Sequence, residues 1–228
     1  MPTGLIIFVG FVTLIIGFVV GHVAWVAIRR KKLREFAEQA GFQYAVRDIS
    51  VRNRFPFQLF DKGDSSEALN VIKAPDGDGE MAICDFVYTV ISYTTTGTGS
   101  NRSRRRTKSK HAQTVCLVSD AKLCLPEMFI RRERLFDWLG EKFGGQDIDF
   151  DEDHEFSDAF VVQGSVEDRI REVLDKGLRR LFLDYRHFVG SFEANDTGFM
   201  VNIGKRLAID KFKDLISFAH LLHRGLEE

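Results

Sequence analysis

The sequence predicts an α+β protein with an N-terminal transmembrane helix and a mixed antiparallel sheet domain with helices. Three observations support this fold class. Residues 4–28 contain no Asp, Glu, Lys or Arg; several later segments are rich in β-branched and aromatic residues and bounded by turn residues; and segments with helical apolar spacing alternate with them. The order of elements fits either one domain or two α+β lobes, 29–150 and 151–228.

Composition excludes several classes of protein. The chain has 228 residues, 44% hydrophobic and 29% charged, which is too apolar for a disordered chain. A net charge of -1 argues against a generally basic nucleic-acid binder. The three cysteines, Cys84, Cys116 and Cys124, have no paired spacing, so we expect free thiols in a reducing compartment.

The uncharged stretch 4–28 predicts a membrane anchor. Its 25 residues form a helix of about 37 Å, longer than the ~30 Å hydrocarbon core of a bilayer. The preceding residues 1–3 are not basic, which favours a retained anchor over a cleaved signal peptide. Arg29, Arg30, Lys31 and Lys32 follow at once, so residues 1–3 are expected outside and 29–228 in the cytoplasm of a single-pass inner-membrane protein.

Small residues recur along one face of this predicted span. They are Gly10, Thr13, Gly17, Gly21 and Ala24. Such a face lets a second helix approach closely, so the stripe predicts self-association or docking on another membrane protein.

The first half of the cytoplasmic part is predicted to be rich in strands. A short helix from Leu33 to Ala40 is expected to continue out of the membrane and to end at Gly41. The predicted elements that follow are strands Phe55 to Phe60, Leu69 to Ala74, Met81 to Ser92 and Gln113 to Ser119, a turn at Asp76-Gly77-Asp78-Gly79, and a helix from Arg134 to Phe143.

The second half is predicted to be β-α-β-β-α. A strand from Phe156 to Val162 precedes a helix that Ser165 would cap. A hairpin follows, with strands Phe188 to Glu193 and Gly198 to Ile203, and a last helix begins at Ile209.

The most distinctive local feature is a basic loop, 94–111, between two predicted strands. Its six cations are Arg102, Arg104, Arg105, Arg106, Lys108 and Lys110. Three uses are open: contact with anionic lipid head groups, with the phosphates of nucleic acid, or with an acidic protein. A solvated, partly disordered hairpin loop is the alternative without function. Lipid is favoured among the three, because the anchor already tethers the loop near a negative surface.

No residue pattern predicts catalysis, a cofactor or a metal. The acidic run of Asp147, Asp149, Asp151, Glu152, Asp153, Glu155 and Asp158, with His154 within it, is interpreted as a solvated face, with Ile148 and Phe150 turned inward. His220 and His223 could share a metal only with ligands that the sequence does not indicate. Nucleophile elbows and phosphate-binding loops are absent from the sequence.

Several short motifs resemble those of a widespread, uncharacterised group of bacterial single-span or small inner-membrane proteins. They are Leu125-Pro126-Glu127-Met128-Phe129-Ile130-Arg131, Lys142-Phe143-Gly144, Asp147-Ile148-Asp149-Phe150, Glu155-Phe156-Ser157, Val162-Gln163-Gly164, Asp85-Phe86-Val87-Tyr88 and Gly41-Phe42-Gln43-Tyr44. The resemblance implies a bacterial inner-membrane protein with a cytoplasmic α+β domain, and it carries over no catalytic residue.

The sequence therefore predicts a membrane-anchored cytoplasmic binding or interaction protein. One alternative is a membrane-tethered enzyme with dispersed acid and base residues; it would require convergence of two or three of Asp85, His111, Glu127, His154 and Glu155. The other is a nucleic-acid binder that uses the basic loop, although nucleic acid is a less favoured partner of the loop than lipid.

Overall fold

The computed structural model describes residues 3–54, 57–76, 79–96, 102–132 and 147–227. The predicted helix Arg134 to Phe143 and the central Gly77 and Asp78 of the predicted turn lie outside these residues. In chain order the elements are α1 Thr3–Ala40, β1 Gln43–Arg47, α2 Ser50–Arg54, a 3-10 turn Gln58–Asp61, β2 Ser65–Asp76, β3 Gly79–Thr96, β4 Ser103–Ser119, β5 Leu125–Arg132, α3 His154–Ala159, β6 Phe160–Gly164, α4 Glu167–Val173, α5 Lys176–Asp184, β7 Ser191–Asp196, β8 Gly198–Asn202, a 3-10 turn Ile209–Lys211 and α6 Phe212–Glu227.

The strands form one eight-stranded sheet in the order β1-β2-β3-β4-β8-β7-β5-β6, and every neighbouring pair is antiparallel. The predicted α+β class with an antiparallel sheet is confirmed. β5, from the first half of the chain, pairs with β6 and β7 from the second half. One sheet therefore contains strands from both halves of the chain, 29–150 and 151–228.

Helix α1 runs without a break from the apolar stretch into the sheet domain. Its last turns are packed, since Leu33 and Ala37 are fully buried and Phe36 lies edge-on to Phe212 with ring centroids 5.8 Å apart. The helix ends at Gly41, which has φ of 73°, while the backbone N–H of Phe42 donates to the Ala37 carbonyl at 2.8 Å. The predicted short helix is thus the end of the apolar helix itself.

Alternate residues of β3 divide between two apolar clusters, one on each face of the sheet. Met81 and Ile83 belong to the larger cluster, with α1 and α6. Ala82, Cys84 and Phe86 belong to the smaller one, on the opposite face.

The predicted strand Phe55 to Phe60 is wrong where the structure describes it. Gln58–Asp61 is a 3-10 turn, and α2 precedes it. Phe57 and Phe60 are three apart, so a helical turn places both rings in the smaller cluster, where Phe60 lies 5.0 Å from the Phe86 ring. A strand would have left one of the buried neighbours Leu59 and Phe60 in solvent.

The second half follows the predicted order with two corrections. The predicted strand Phe156 to Val162 begins as α3, because the Asp153 carboxylate caps it by accepting from the Phe156 N–H, and β6 starts only at Phe160. The predicted long helix after Ser165 is two helices, since Asp175 accepts from the Leu178 N–H at 2.7 Å and starts α5. The hairpin of β7 and β8 is confirmed, while β1 and β5 were not predicted.

Candidate functional site at the end of the sheet that carries the apolar helix

The apolar part of α1 projects from the domain. From Ile7 onward the helix has a mean hydropathy of 2.4 in its most apolar window, and none of that window is buried in the protein. The helix is therefore long and apolar enough to span a membrane. Phe18 and Leu14, 78% and 74% exposed, are typical of its surface.

At the foot of this apolar segment, Arg29 forms a buried bidentate ion pair with Asp85 of β3. Its Nε and one terminal nitrogen each lie 2.7 Å from a carboxylate oxygen, and the other nitrogen donates to the Leu207 carbonyl at 2.9 Å. The two side chains are 8% and 1% exposed. Because a bidentate pair constrains the planes of both groups, it fixes how α1 sits on the sheet.

Further polar groups complete this ion pair. Asn70 donates to Asp85 at 2.9 Å and accepts from the Tyr44 hydroxyl at 2.8 Å. The Thr114 hydroxyl donates to Asp85 at 3.2 Å and accepts from the Leu207 N–H at 2.9 Å. Each hydrogen bond offsets part of the cost of burying the two charges.

The position of Arg29 corrects one prediction. The sequence placed Arg29 in a basic flank beside the membrane, but its charge is neutralised inside the domain by Asp85. Arg30, Lys31 and Lys32 remain exposed, so the flank consists of these three residues. Burial raises the pKa of the Tyr44 phenol, against the opposing charges of Arg34 and Arg30, so its hydroxyl stays protonated as a donor at neutral pH.

The predicted basic loop 94–111 is strand wherever the structure describes it, apart from Arg102. β3 and β4 pair without a register shift out to Thr96 and Ser103. The pairing of β2 with β3 stops at Thr89, and that of β8 with β4 stops at Val115. Residues 89–96 and 103–110 therefore form a two-stranded extension, which we call the basic ribbon. Its threonines and alternating polarity are typical of strands, a signal that the loop prediction did not use.

Strand alternation sorts the predicted anion-binding residues by face. The face of the ribbon that continues the Asp85 and Thr114 side of the sheet carries Arg104, Arg106, Lys108 and Lys110. Arg105 is on the opposite face and Arg102 precedes β4, and all six side chains are exposed.

Two apolar or aromatic side chains share the face with the four cations. Ile91 pairs in register with Lys108, and Tyr93 with Arg106. The Arg104 guanidinium lies over the Tyr93 ring, 4.0 Å from its centroid.

The apolar helix and the basic ribbon leave the sheet at the same end. The C-terminus of α1 lies by the start of β1, where Gln43 pairs with Lys73 and Lys73 pairs with Ala82. Followed back towards its N-terminus, α1 reaches Arg29, which contacts Asp85. β3 runs in the same direction, from Ala82 past Asp85 into the ribbon. We call this end of the sheet the ribbon end. There the Arg206 guanidinium lies over Trp25 of α1, 5.0 Å from the ring centroid.

The structure places the small-residue stripe on the exposed part of α1. Gly10, Thr13, Gly17, Gly21 and Ala24 are exposed, and nothing described lies within 4 Å of a Cβ built on the three glycines. The Thr13 hydroxyl donates to the Val9 carbonyl of its own helix. Docking of a second helix on this stripe stays a prediction.

The dispersed acid and base residues do not converge in the described structure. Asp85 is held by Arg29, His111 stacks on Tyr88 with centroids 4.9 Å apart, and Glu155 pairs with Arg180. In the predicted acidic face, Ile148 and Phe150 are buried as expected, while Asp153 is held by Arg179 at 2.9 Å. That hydrogen bond is the main cause of the lowered pKa of Asp153.

Fold and site together define a class of protein, an antiparallel α+β domain carried on a long apolar helix. No family model matches the chain, and no curated protein matches it. Among solved structures it is similar to the crystal structure of the mycobacterial trehalose monomycolate transport factor A, TtfA, with a TM-score of 0.58 and 10% identity over 87% of this chain and 92% of that one. At that identity the likeness concerns the fold. The likeness in fold does not test the resemblance to bacterial inner-membrane proteins, which stays a prediction.

Proposed function

We propose that the chain is a single-pass inner-membrane protein whose cytoplasmic sheet domain binds partners at the membrane surface, and that the basic ribbon holds the domain on anionic lipid head groups. In this arrangement residues 1–3 lie outside and 29–228 inside, since Arg30, Lys31 and Lys32 remain as the positive flank.

One observation carries the proposal: the span and the ribbon leave the sheet at the same end, and the ribbon's four aligned cations lie on the sheet face that α1 covers. A basic residue near an anionic leaflet contributes about 1 kcal/mol, so four aligned residues contribute about 4 kcal/mol. This is enough to hold the domain in one orientation once α1 has tethered it.

The composition of the ribbon face favours lipid over nucleic acid. Ile91 and Tyr93 lie among the cations, and tyrosine is enriched where protein meets lipid head groups. Trp25 beside Arg206 is a second aromatic residue at the level where α1 leaves the domain. A nucleic-acid surface would be expected to extend its positive charge onto the body of the domain, but acidic residues outnumber basic ones in the whole chain.

The similar solved structure is that of a transport factor, which is compatible with a membrane-associated interaction protein. Which partner the domain binds is a separate question from how the domain is held at the membrane.

The lipid proposal is tested by flotation of a fragment, residues 29–228, with vesicles. Within the described residues the buried apolar core begins at Leu33, so the fragment keeps it together with Arg29. We expect the fragment to float with vesicles of 30% phosphatidylglycerol and to stay behind with neutral phosphatidylcholine, and the difference to shrink as salt rises.

Matched variants assign the effect to the ribbon. Arg104→Gln, Arg106→Gln, Lys108→Gln and Lys110→Gln together should abolish flotation. The control removes the same charge from α4, α5 and the turn after it, with Arg169→Gln, Lys176→Gln, Arg180→Gln and Arg186→Gln, and should float like the parent. Equal flotation of both variants would reject the ribbon as the lipid contact, and salt-sensitive binding to duplex DNA without flotation would favour the nucleic-acid alternative.

A further inference from the structure

The end of the sheet opposite the ribbon carries a cluster of one histidine and two carboxylates. Asp120 follows β4, and His223 and Glu227 lie one turn apart on α6. The His223 Nε2 is 3.2 Å from the Asp120 Oδ2 and 3.8 Å from the Glu227 Oε1, and all three donor atoms lie within 4.8 Å of one another. Asp120 and His223 are buried, while the Glu227 carboxylate is 38% exposed.

The two distances from the His223 Nε2 are close to the separation of two ligands on one metal ion. Two donor atoms each about 2.1 Å from a tetrahedral zinc ion are about 3.4 Å apart. The buried Asp120 Oδ2 and the His223 Nε2, 3.2 Å apart, form an ion pair when the imidazole is protonated. A divalent ion bound between the two atoms would replace this contact with two coordination bonds.

The rest of Asp120 is held as metal-ligating carboxylates usually are. Its Oδ1 accepts from the Lys122 N–H at 2.9 Å, and its own backbone N–H donates to the Thr197 carbonyl at 2.9 Å. These contacts fix the orientation of the carboxylate before any ion binds. His223 and Glu227 are four residues apart on one helix face, which sets their mutual spacing.

We propose that Asp120, His223 and Glu227 bind a divalent transition metal, with zinc the best match. One imidazole and two carboxylates suit zinc better than calcium or magnesium, which prefer oxygen ligands only. Two carboxylates also balance the charge of the ion. Three protein ligands leave one coordination position of a tetrahedral ion for water or a small ligand.

A cavity lies beside this cluster of three residues. Glu227 lines a cavity of about 670 Å³, together with Lys122, Cys124, Leu125 and Glu172. A metal at the triad would therefore lie at the edge of a cavity large enough for a small molecule. The cavity is at the end of the sheet away from the ribbon, so the metal site is independent of the proposed membrane contact.

The test is metal binding by the full chain, without a histidine tag, in detergent after treatment with a chelator. We expect one equivalent of zinc by equilibrium dialysis and elemental analysis, a rise in the midpoint of thermal unfolding on adding zinc, and a visible spectrum of low-coordinate cobalt on adding Co²⁺.

Two variants separate binding from folding. Glu227→Gln changes a part-exposed ligand at the C-terminal end of α6, and should weaken zinc binding at least tenfold. Glu172→Gln changes a carboxylate of the same cavity outside the triad and should bind zinc like the parent. Absence of stoichiometric zinc in the folded parent would overturn the proposal, and so would equal affinity in the parent, Glu227→Gln and His223→Gln proteins.

Discussion

At the scale of single residues, the role of a charge cannot be assigned from its position in the sequence alone. Arg29 directly follows an apolar stretch, which is the usual place for a membrane flank, yet its partner Asp85 lies 56 residues away. One signal was available: Asp85 is the only charged residue in the apolar strand segment 81–90. A single carboxylate in such a strand requires a buried partner, but the pattern could not identify which cation would reach it.

Loss of Asp85 is expected to destabilise the protein strongly. Asp85→Asn leaves the Arg29 guanidinium buried without its counter-charge, so the free energy of unfolding should fall by about 3–5 kcal/mol. Denaturant unfolding of the full chain in detergent, followed by circular dichroism, measures this. Arg30→Gln, at the exposed neighbouring arginine, should change stability by less than about 0.5 kcal/mol. Equal stability of the two variants would mean that Arg29 is not committed to Asp85.

A second prediction concerns Glu193 of β7. Burial raises the pKa of Glu193 to about 7, while hydrogen bonding from the Gln58 N–H and the Lys62 charge oppose the shift. Since the folded-state pKa lies above the unfolded one, the folded protein holds the proton more tightly, and stability falls as pH rises through about 7. Burial lowers the pKa of Lys62 to about 7, so Lys62 changes the pH dependence of stability only above about pH 7, where it makes stability rise with pH.

The window from pH 5 to pH 7 therefore isolates Glu193. The free energy of unfolding of the parent should fall across this window, and Glu193→Gln should show a smaller fall. Glu127→Gln, on exposed Glu127 of β5, should keep the slope of the parent. The same slope in all three proteins would contradict the assigned burial of the Glu193 carboxylate.

At the scale of elements, helical and strand periodicity predicted most of the structure, and local capping decided the rest. The strands around Leu69 to Ala74, Met81 to Ser92 and Gln113 to Ser119 were confirmed as parts of β2, β3 and β4. Strand β1 was missed because its side chains are mostly exposed or half-buried at the sheet edge, which gives no apolar alternation. The break between α4 and α5 depends on the Asp175 cap, which a continuous apolar repeat conceals.

The basic ribbon is expected to be separable from the core. Replacing residues 93–106 with Asn-Gly joins Ser92 to Thr107 through a two-residue hairpin. Because the described side chains removed are exposed, the free energy of unfolding should change by less than about 1 kcal/mol, whereas Leu117→Ala in the sheet part of β4 should cost about 2–5 kcal/mol. A shortened protein that fails to fold would show that the ribbon supports the core.

At the scale of the whole molecule, the sequence predicted the fold class and the apolar helix but not the buried Arg29–Asp85 ion pair that joins them. Antiparallel pairing of β5 with β6 and β7 depends on long-range register, which no local pattern encodes. The same limitation applies to the candidate sites. The ribbon cations were identified from the sequence as candidate anion-binding residues, but their alignment on one face follows from the strand register. The proximity of Asp120 to His223 follows only from the fold.

The central claim is that the span and the ribbon meet the same membrane surface. It is tested most directly by fluorescence quenching of the full chain in anionic vesicles that contain a lipid with a nitroxide on its head group. A fluorophore is attached either at Thr95→Cys, on the cationic face of the ribbon, or at Ser165→Cys, just beyond β6 at the opposite end of the sheet, in a Cys124→Ser background. We predict strong quenching at residue 95 and weak quenching at residue 165; equal quenching at the two positions, or the reverse order, would contradict the account.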